Sequence, residues 1–173
     1  MGRKVRMVPA DWEHPKDERG HFIPLMGGSY SKDRAEWDEE ARQWGLGMVL
    51  DYSNYPARSF KPKEGSALEY PEFEAWNGPA PEADGYMPDW PDEQRTHMMM
   101  YEDISEGTPI SPAFERDEDL ARWLADNGAS SFGNSTATYE QWLAMIGQGS
   151  AISMVISGGV MMSGVEFAAT QPQ

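Results

Sequence analysis

Between residues 49 and 90 the chain carries Pro56, Pro62, Pro71, Pro79, Pro81 and Pro88 among eight aromatic residues, and no apolar period survives across the stretch. Each proline lacks a backbone donor and biases the residue before it away from helix, so neither a long helix nor a central strand can run through. Loops of this length are uncommon inside compact domains. The aromatics, each able to remove roughly 150 to 250 Å² from water, favour packing. The expectation is an ordered irregular layer wrapped on helices, with Asn77 to Gly85 as its mobile centre.

The regular elements must come from either side of that layer. Upstream, RKVRMVPADWEHPKDERGHFIPL has no helical period and reads as extended chain, with a turn at Asp17 to Gly20. Ser29 or Ser31 then caps a helix whose Trp37, Ala41, Trp44 and Met48 fall at i, i+4, i+7 and i+11, ending near Gly45 or Gly47. Downstream, Pro91 followed by Asp92 and Glu93 predicts a short helix over DEQRTHMMMYEDI, with the Met98 to Tyr101 run as core. Asp117, Glu118 and Asp119 open a further helix through Leu120, Trp123 and Leu124, stopped by Asn127 and Gly128. Ser135 or Thr136 opens the next, striped by Tyr139, Trp142, Leu143 and Ile146. Finally AISMVIS and VMMSGVEF read as the two strands of a hairpin about Gly158 and Gly159. The predicted fold class is α+β: three to four short helices, a C-terminal β-hairpin and a long irregular aromatic and Pro-rich layer, in a single domain spanning 1–173.

Cysteine is absent, which excludes a disulfide framework, a thiolate zinc site and a cysteine nucleophile, and suits a reducing cytosol. No apolar h-region follows the basic N-terminal residues and no run approaches the roughly 20 apolar residues of a membrane span, so no membrane association is expected. Arg6 stands where a myristoylation motif needs Ser or Thr.

The formal net charge is -15, and it is unevenly spread. Residues 1 to 68 hold eleven acids and eleven bases; residues 69 to 173 hold eighteen acids against Arg95, Arg116 and Arg122. Such a distribution repels nucleic-acid phosphates and attracts basic proteins in a salt-dependent manner. Acidic surfaces also serve solubility alone. The acids grouped along EDISEGTPISPAFERDED, namely Glu102, Asp103, Glu106, Asp117, Glu118 and Asp119, are the expected binding residues for a partner with a basic surface.

Catalytic motifs are weak by comparison. The pentapeptide G-x-S-x-G is absent, so Ser29, Ser105 and Ser111 have no nucleophile motif around them. A P-loop needs Gly-Lys-Ser/Thr opening a helix, whereas the Gly/Pro stretch at 105 to 112 is flanked by acids. DWEHPKDERGH gathers Asp11, Glu13, His14, Asp17, Glu18 and His21, and His14 and His21 with Asp11 and Asp17 form an alternative metal set for zinc, manganese or iron. Its spacing lacks H-E-x-x-H, and Pro15 opposes the helix that motif requires; the competing reading is a surface turn whose charges pair among themselves. No catalytic residue and no cofactor is expected.

WEHPKDERGHFIPL, EGTPISPAF, LARWLADNGASSFG and TYEQWLAMI together resemble an uncharacterised protein family of tailed bacteriophages and prophages, most clearly over residues 8 to 44 and 101 to 166. The resemblance implies an accessory gene product in the host bacterial cytoplasm, or in the virion, and carries no activity onto any residue. Two functions from different classes follow. One is a non-enzymatic phage protein binding a host or phage protein through its acidic surface, as a nucleic-acid mimic or an inhibitor of a host defence complex. The other is a small metal-dependent hydrolase using the His/carboxylate set, with a minor virion component as a third possibility.

Overall fold

The computed structural model describes residues 2–54, 56–103, 107–157 and 160–171. In chain order its first elements are β1 (Gly2–Val8), α1 (Tyr30–Gly45), β2 (Met48–Leu50), β3 (Phe60–Pro62), α2 (Phe73–Asn77) and β4 (His97–Asp103). They are followed by α3 (Asp117–Asp126), β5 (Ser130–Phe132), β6 (Ser135–Thr136), α4 (Tyr139–Gln148), β7 (Ser150–Ala151), β8 (Met154–Ser157), β9 (Val160–Ser163) and α5 (Gly164–Ala168). The class is α+β, with small antiparallel sheets that include the C-terminal hairpin β8–β9. No helix among the described residues is long and apolar enough to cross a membrane. The chain divides into two compact units: a continuous one, Gly28–Met87, and a split one made of Met1–Gly27 with Pro88–Gln173.

In the continuous unit α1 forms as its sequence requires. The Ser29 hydroxyl accepts the Lys32 N–H, Asp33 sits in the first turn and Arg42 in the last, so both ends of the helix dipole are complemented. Its apolar stripe, buried Trp44 with partly buried Trp37 and Ala41, meets Val49, Ala67 and Phe73. Met48, the predicted end of that stripe, instead opens β2, which pairs with β3. The Pro-rich layer is fastened to α1 through its indoles: Trp37 Nε1 donates to the Gly78 carbonyl and Trp44 Nε1 to that of Pro71, each at 3.3 Å. Trp44 also stacks on Trp76 at 5.4 Å and carries Lys63 Nζ 3.5 Å from its ring centroid. Irregular backbone is thus satisfied by side chains where no ladder is available.

The split unit is organised by a three-stranded antiparallel sheet in the order β4-β1-β7, with Val8 opposite His97 and Gly2 opposite Asp103. Val5, Met98 and Met100 on one face join Leu120, Leu124, Trp142, Met145 and Val165 in the main core. On the other face Arg6 and Tyr101 meet an irregular arm that returns through residues 9–26. A strand covered on both faces reads as a continuous apolar run rather than an alternation. This is why the expected helix over DEQRTHMMMYEDI is instead a 3₁₀ turn at Asp92–Gln94 followed by strand β4.

Two further expectations shift. The cap of α4 is Thr138, which forms a reciprocal capping box with Gln141, while Ser135 and Thr136 are consumed in the β5–β6 pairing. The last strand ends at Ser163 rather than running on through Phe167, because Ser163 and Glu166 form a second capping box that starts α5. Gly158 and Gly159, the expected hairpin turn, lie outside the described residues.

Candidate functional site

The free edge of β4 is taken up by the segment 108–114. Glu102 N–H donates to the Thr108 carbonyl, Ile110 N–H to Met100, and Met98 and Phe114 exchange bonds of 2.7 and 2.9 Å. Pro109 and Pro112 have no N–H, so this is not a regular strand. Ser111 repairs the ladder: its hydroxyl accepts the Met100 N–H at 2.9 Å and donates to the Pro112 carbonyl at 2.8 Å. The punctuated loop of the sequence is therefore an edge cover that leads into α3.

Between this cover, the arm and α3 lies a cleft of about 940 Å³, walled by Trp12 and His14 of the arm, Ile110 and Pro112 of the cover, and Trp123 of α3. Asp11 and Glu13 also line it. Beneath, Tyr101 is fully buried and joins a directional chain of hydrogen bonds. His14 Nε2 lies 2.6 Å from the Ile23 carbonyl, which can only accept, so Nε2 carries the proton. Nδ1 then accepts from the Tyr101 hydroxyl at 3.1 Å, and that hydroxyl accepts from Trp12 Nε1 at 3.2 Å. Burial pushes the His14 pKa down, against its bond to Ile23, and the Arg6 charge lowers it further. Burial raises the Tyr101 pKa. The Arg6 guanidinium lies 4.3 Å from the Tyr101 ring centroid and donates to the Leu25 carbonyl at 2.8 Å, which pins the arm to the sheet.

The sequence-selected acids separate into distinct roles. Glu102 sits 2.9 Å from the buried Arg3 guanidinium, and Asp103 sits 3.6 Å from Arg6. Asp117, Glu118 and Asp119 occupy the first turn of α3, where the Asp117 carboxylate accepts the Glu118 N–H, Glu118 pairs with Arg116 and Asp119 is exposed. Glu106 lies outside the described residues, as does Ser105. His14 is buried with both ring nitrogens engaged, whereas His21 is exposed and 3.4 Å from Asp17. Asp11 is exposed on the cleft rim. The two histidines and their carboxylates do not converge: among the described residues no three such side chains gather as a metal site.

Of the segment DWEHPKDERGH, which the sequence marks by its metal-capable side chains, Asp11 to Lys16 form a wall of the cleft. The opposite wall, Pro109 to Ala113 and Trp123, is distant in sequence and gave no local sign of meeting it. Trp123, expected as a core stripe residue of α3, is only partly buried against the core and also lines the cleft. No family model, curated protein or solved structure matches the chain.

Proposed function

We propose that the chain is a non-enzymatic accessory protein of a tailed phage or prophage that acts in the host bacterial cytoplasm by binding a basic surface of a host or phage protein, as a nucleic-acid mimic or inhibitor of a defence complex. The observation that carries this reading is the acidic rim of the Trp-walled cleft, where Asp11 and Glu13 are exposed with no ion pair drawn to them among the described residues. They are part of a net charge of -15, a field that attracts cationic surfaces and speeds encounter with them. The groups near the cleft best suited to acid-base or nucleophilic chemistry, His14 and Ser111, have their hydrogen-bonding capacity committed to holding the arm and the edge cover. That commitment favours a binding role over a reaction. The phage and host assignment rests on the resemblance of residues 8 to 44 and 101 to 166.

The test is affinity capture from bacterial lysate over a series of salt concentrations, with partners identified by mass spectrometry. A partner with a basic surface, released as salt rises, is the expected result. Capture that salt does not weaken, or no specific partner, would remove the mimicry reading.

A further inference from the structure

Both indole walls of the cleft are held from behind. Trp12 meets Trp90 edge-on at 4.7 Å between ring centroids and donates its N–H to Tyr101, and Trp123 lies 6.3 Å from Phe114. Each is half-buried and lines the cleft. Around these fixed rings carboxylates outnumber cations among the described lining residues. Asp11 and Glu13 line the arm side, and Asp119, exposed on α3 beyond the lining itself, shares a helix face with Trp123 at i, i+4. Lys16, the one Lys or Arg on the lining among the described residues, shows how a cation is accommodated there: its Nζ stands 4.8 Å from the Phe22 ring centroid.

A cation over an indole face is attracted by the ring quadrupole, and a neighbouring carboxylate adds direct charge complementarity. Strand addition is not the mode of recognition, because the 108–114 segment already occupies the edge of β4 and its two prolines withhold donors. The volume, about 940 Å³, suits a short stretch of extended chain entering by its side chains.

We propose that this cleft is the docking site for arginine or lysine side chains of an extended basic segment of the protein partner, with Trp12 and Trp123 receiving the cations and Asp11, Glu13 and Asp119 matching their charge. The proposal rests on the acidic-binder reading and gives that binding a location and a ligand chemistry. A second copy of this chain is the less suitable occupant, since the basic cluster Arg3, Lys4 and Arg6 is held within β1.

The experiment titrates the full chain with a short synthetic peptide of alternating Arg, Pro and Gly, and with the same peptide carrying uncharged citrulline for arginine, by calorimetry and by the indole N–H resonances in NMR. The arginine peptide is expected to bind at least about tenfold more tightly, with shifts concentrated at Trp12 and Trp123. The variant D11N/E13Q/D119N, all at exposed positions, should lose about tenfold in affinity. E69Q/E74Q/E82Q, which removes the same charge from exposed positions of the continuous unit, should change it less than about twofold. Equal binding of the citrulline peptide, or shifts confined to other residues, overturns the cleft assignment. Equal losses in the two triple variants also overturn it while leaving the acidic-binder reading intact. No binding of the arginine peptide removes the cleft, and only if lysate capture fails as well does the broader reading fall with it.

Discussion

Arg3 and Glu102 face each other directly across the β1–β4 ladder, with Nη1 2.9 Å from Oε1, and their side chains are 1% and 12% exposed. Glu102 therefore serves as the counter-ion of a buried guanidinium. Burial lowers the Arg3 pKa and the Glu102 charge works against that shift; arginine in any case does not shed its proton.

Replacing Glu102 by Gln removes the carboxylate that faces the Arg3 guanidinium across the ladder. The carbonyls of Gly2 and Ser130 still accept from Arg3, which puts the cost at the lower end of the range for a broken buried pair, about 3 kcal/mol. Urea unfolding measures it. The double substitution Arg3→Met with Glu102→Leu should recover most of the loss, because the desolvation penalty disappears with both charges. A change in E102Q below about 0.5 kcal/mol would mean that the pair does not hold this ribbon together.

His14 imposes a pH dependence whose sign follows from its surroundings. Its folded pKa lies below the ordinary histidine value, so the unfolded chain binds the proton more readily. The contribution of His14 is then complete above pH of about 6.5 and is lost as pH falls through the folded pKa. Denaturation midpoints should decline on acidification through this window, and the decline should be reduced in His14→Phe, which keeps a ring there but cannot titrate. Identical slopes for the two proteins would show that other groups carry the dependence.

Helix capping separates two sets of hydroxyls. Thr138→Ala should cost about 1 kcal/mol, since it removes the acceptor for the Gln141 N–H at the start of α4. Ser135→Ala and Thr136→Ala, at exposed positions of β6, should each stay within about 0.5 kcal/mol. Thermal unfolding of the three variants decides between them.

Gly164 tests how tightly the hairpin is joined to the core. A Cβ at that position would stand 1.8 Å from the Ile152 carbonyl oxygen, a backbone atom that cannot swing aside. Gly164→Ala is expected to cost about 3 kcal/mol and to accelerate amide exchange in β8 and β9 selectively. Wild-type exchange rates there would rule out this contact as the anchor.

The helices α1, α3 and α4 were legible because each is amphipathic and carries its own punctuation, such as Ser29 before α1 and Asn127 after α3. Strand β4 was not, because Met98 and Met100 face the helical core while Tyr101 faces the arm, which erases alternation. The short helix α5 was hidden by an apolar strand-like run, although Ser163 and Glu166 spell a capping box. Of the cleft, only the arm side was visible, and for another reason: its His and Asp residues suggested a metal. Trp12 lines one cleft with the 109–113 wall and Trp123 through a tertiary arrangement that no local pattern encodes.

The pairing of Val8 with His97 has a consequence at the ribosome. At ordinary elongation rates β1 leaves the exit tunnel on the order of ten seconds before β4 exists to receive it. During that interval Arg3, Lys4 and Arg6 stand beside Val5, Met7 and Val8 on a bare nascent strand, a profile suited to chaperone capture and to proteolysis. The whole Gly28–Met87 unit is synthesised within the same wait. Truncated products that stop short of β4 should therefore hold this unit while their first strand remains open to cleavage.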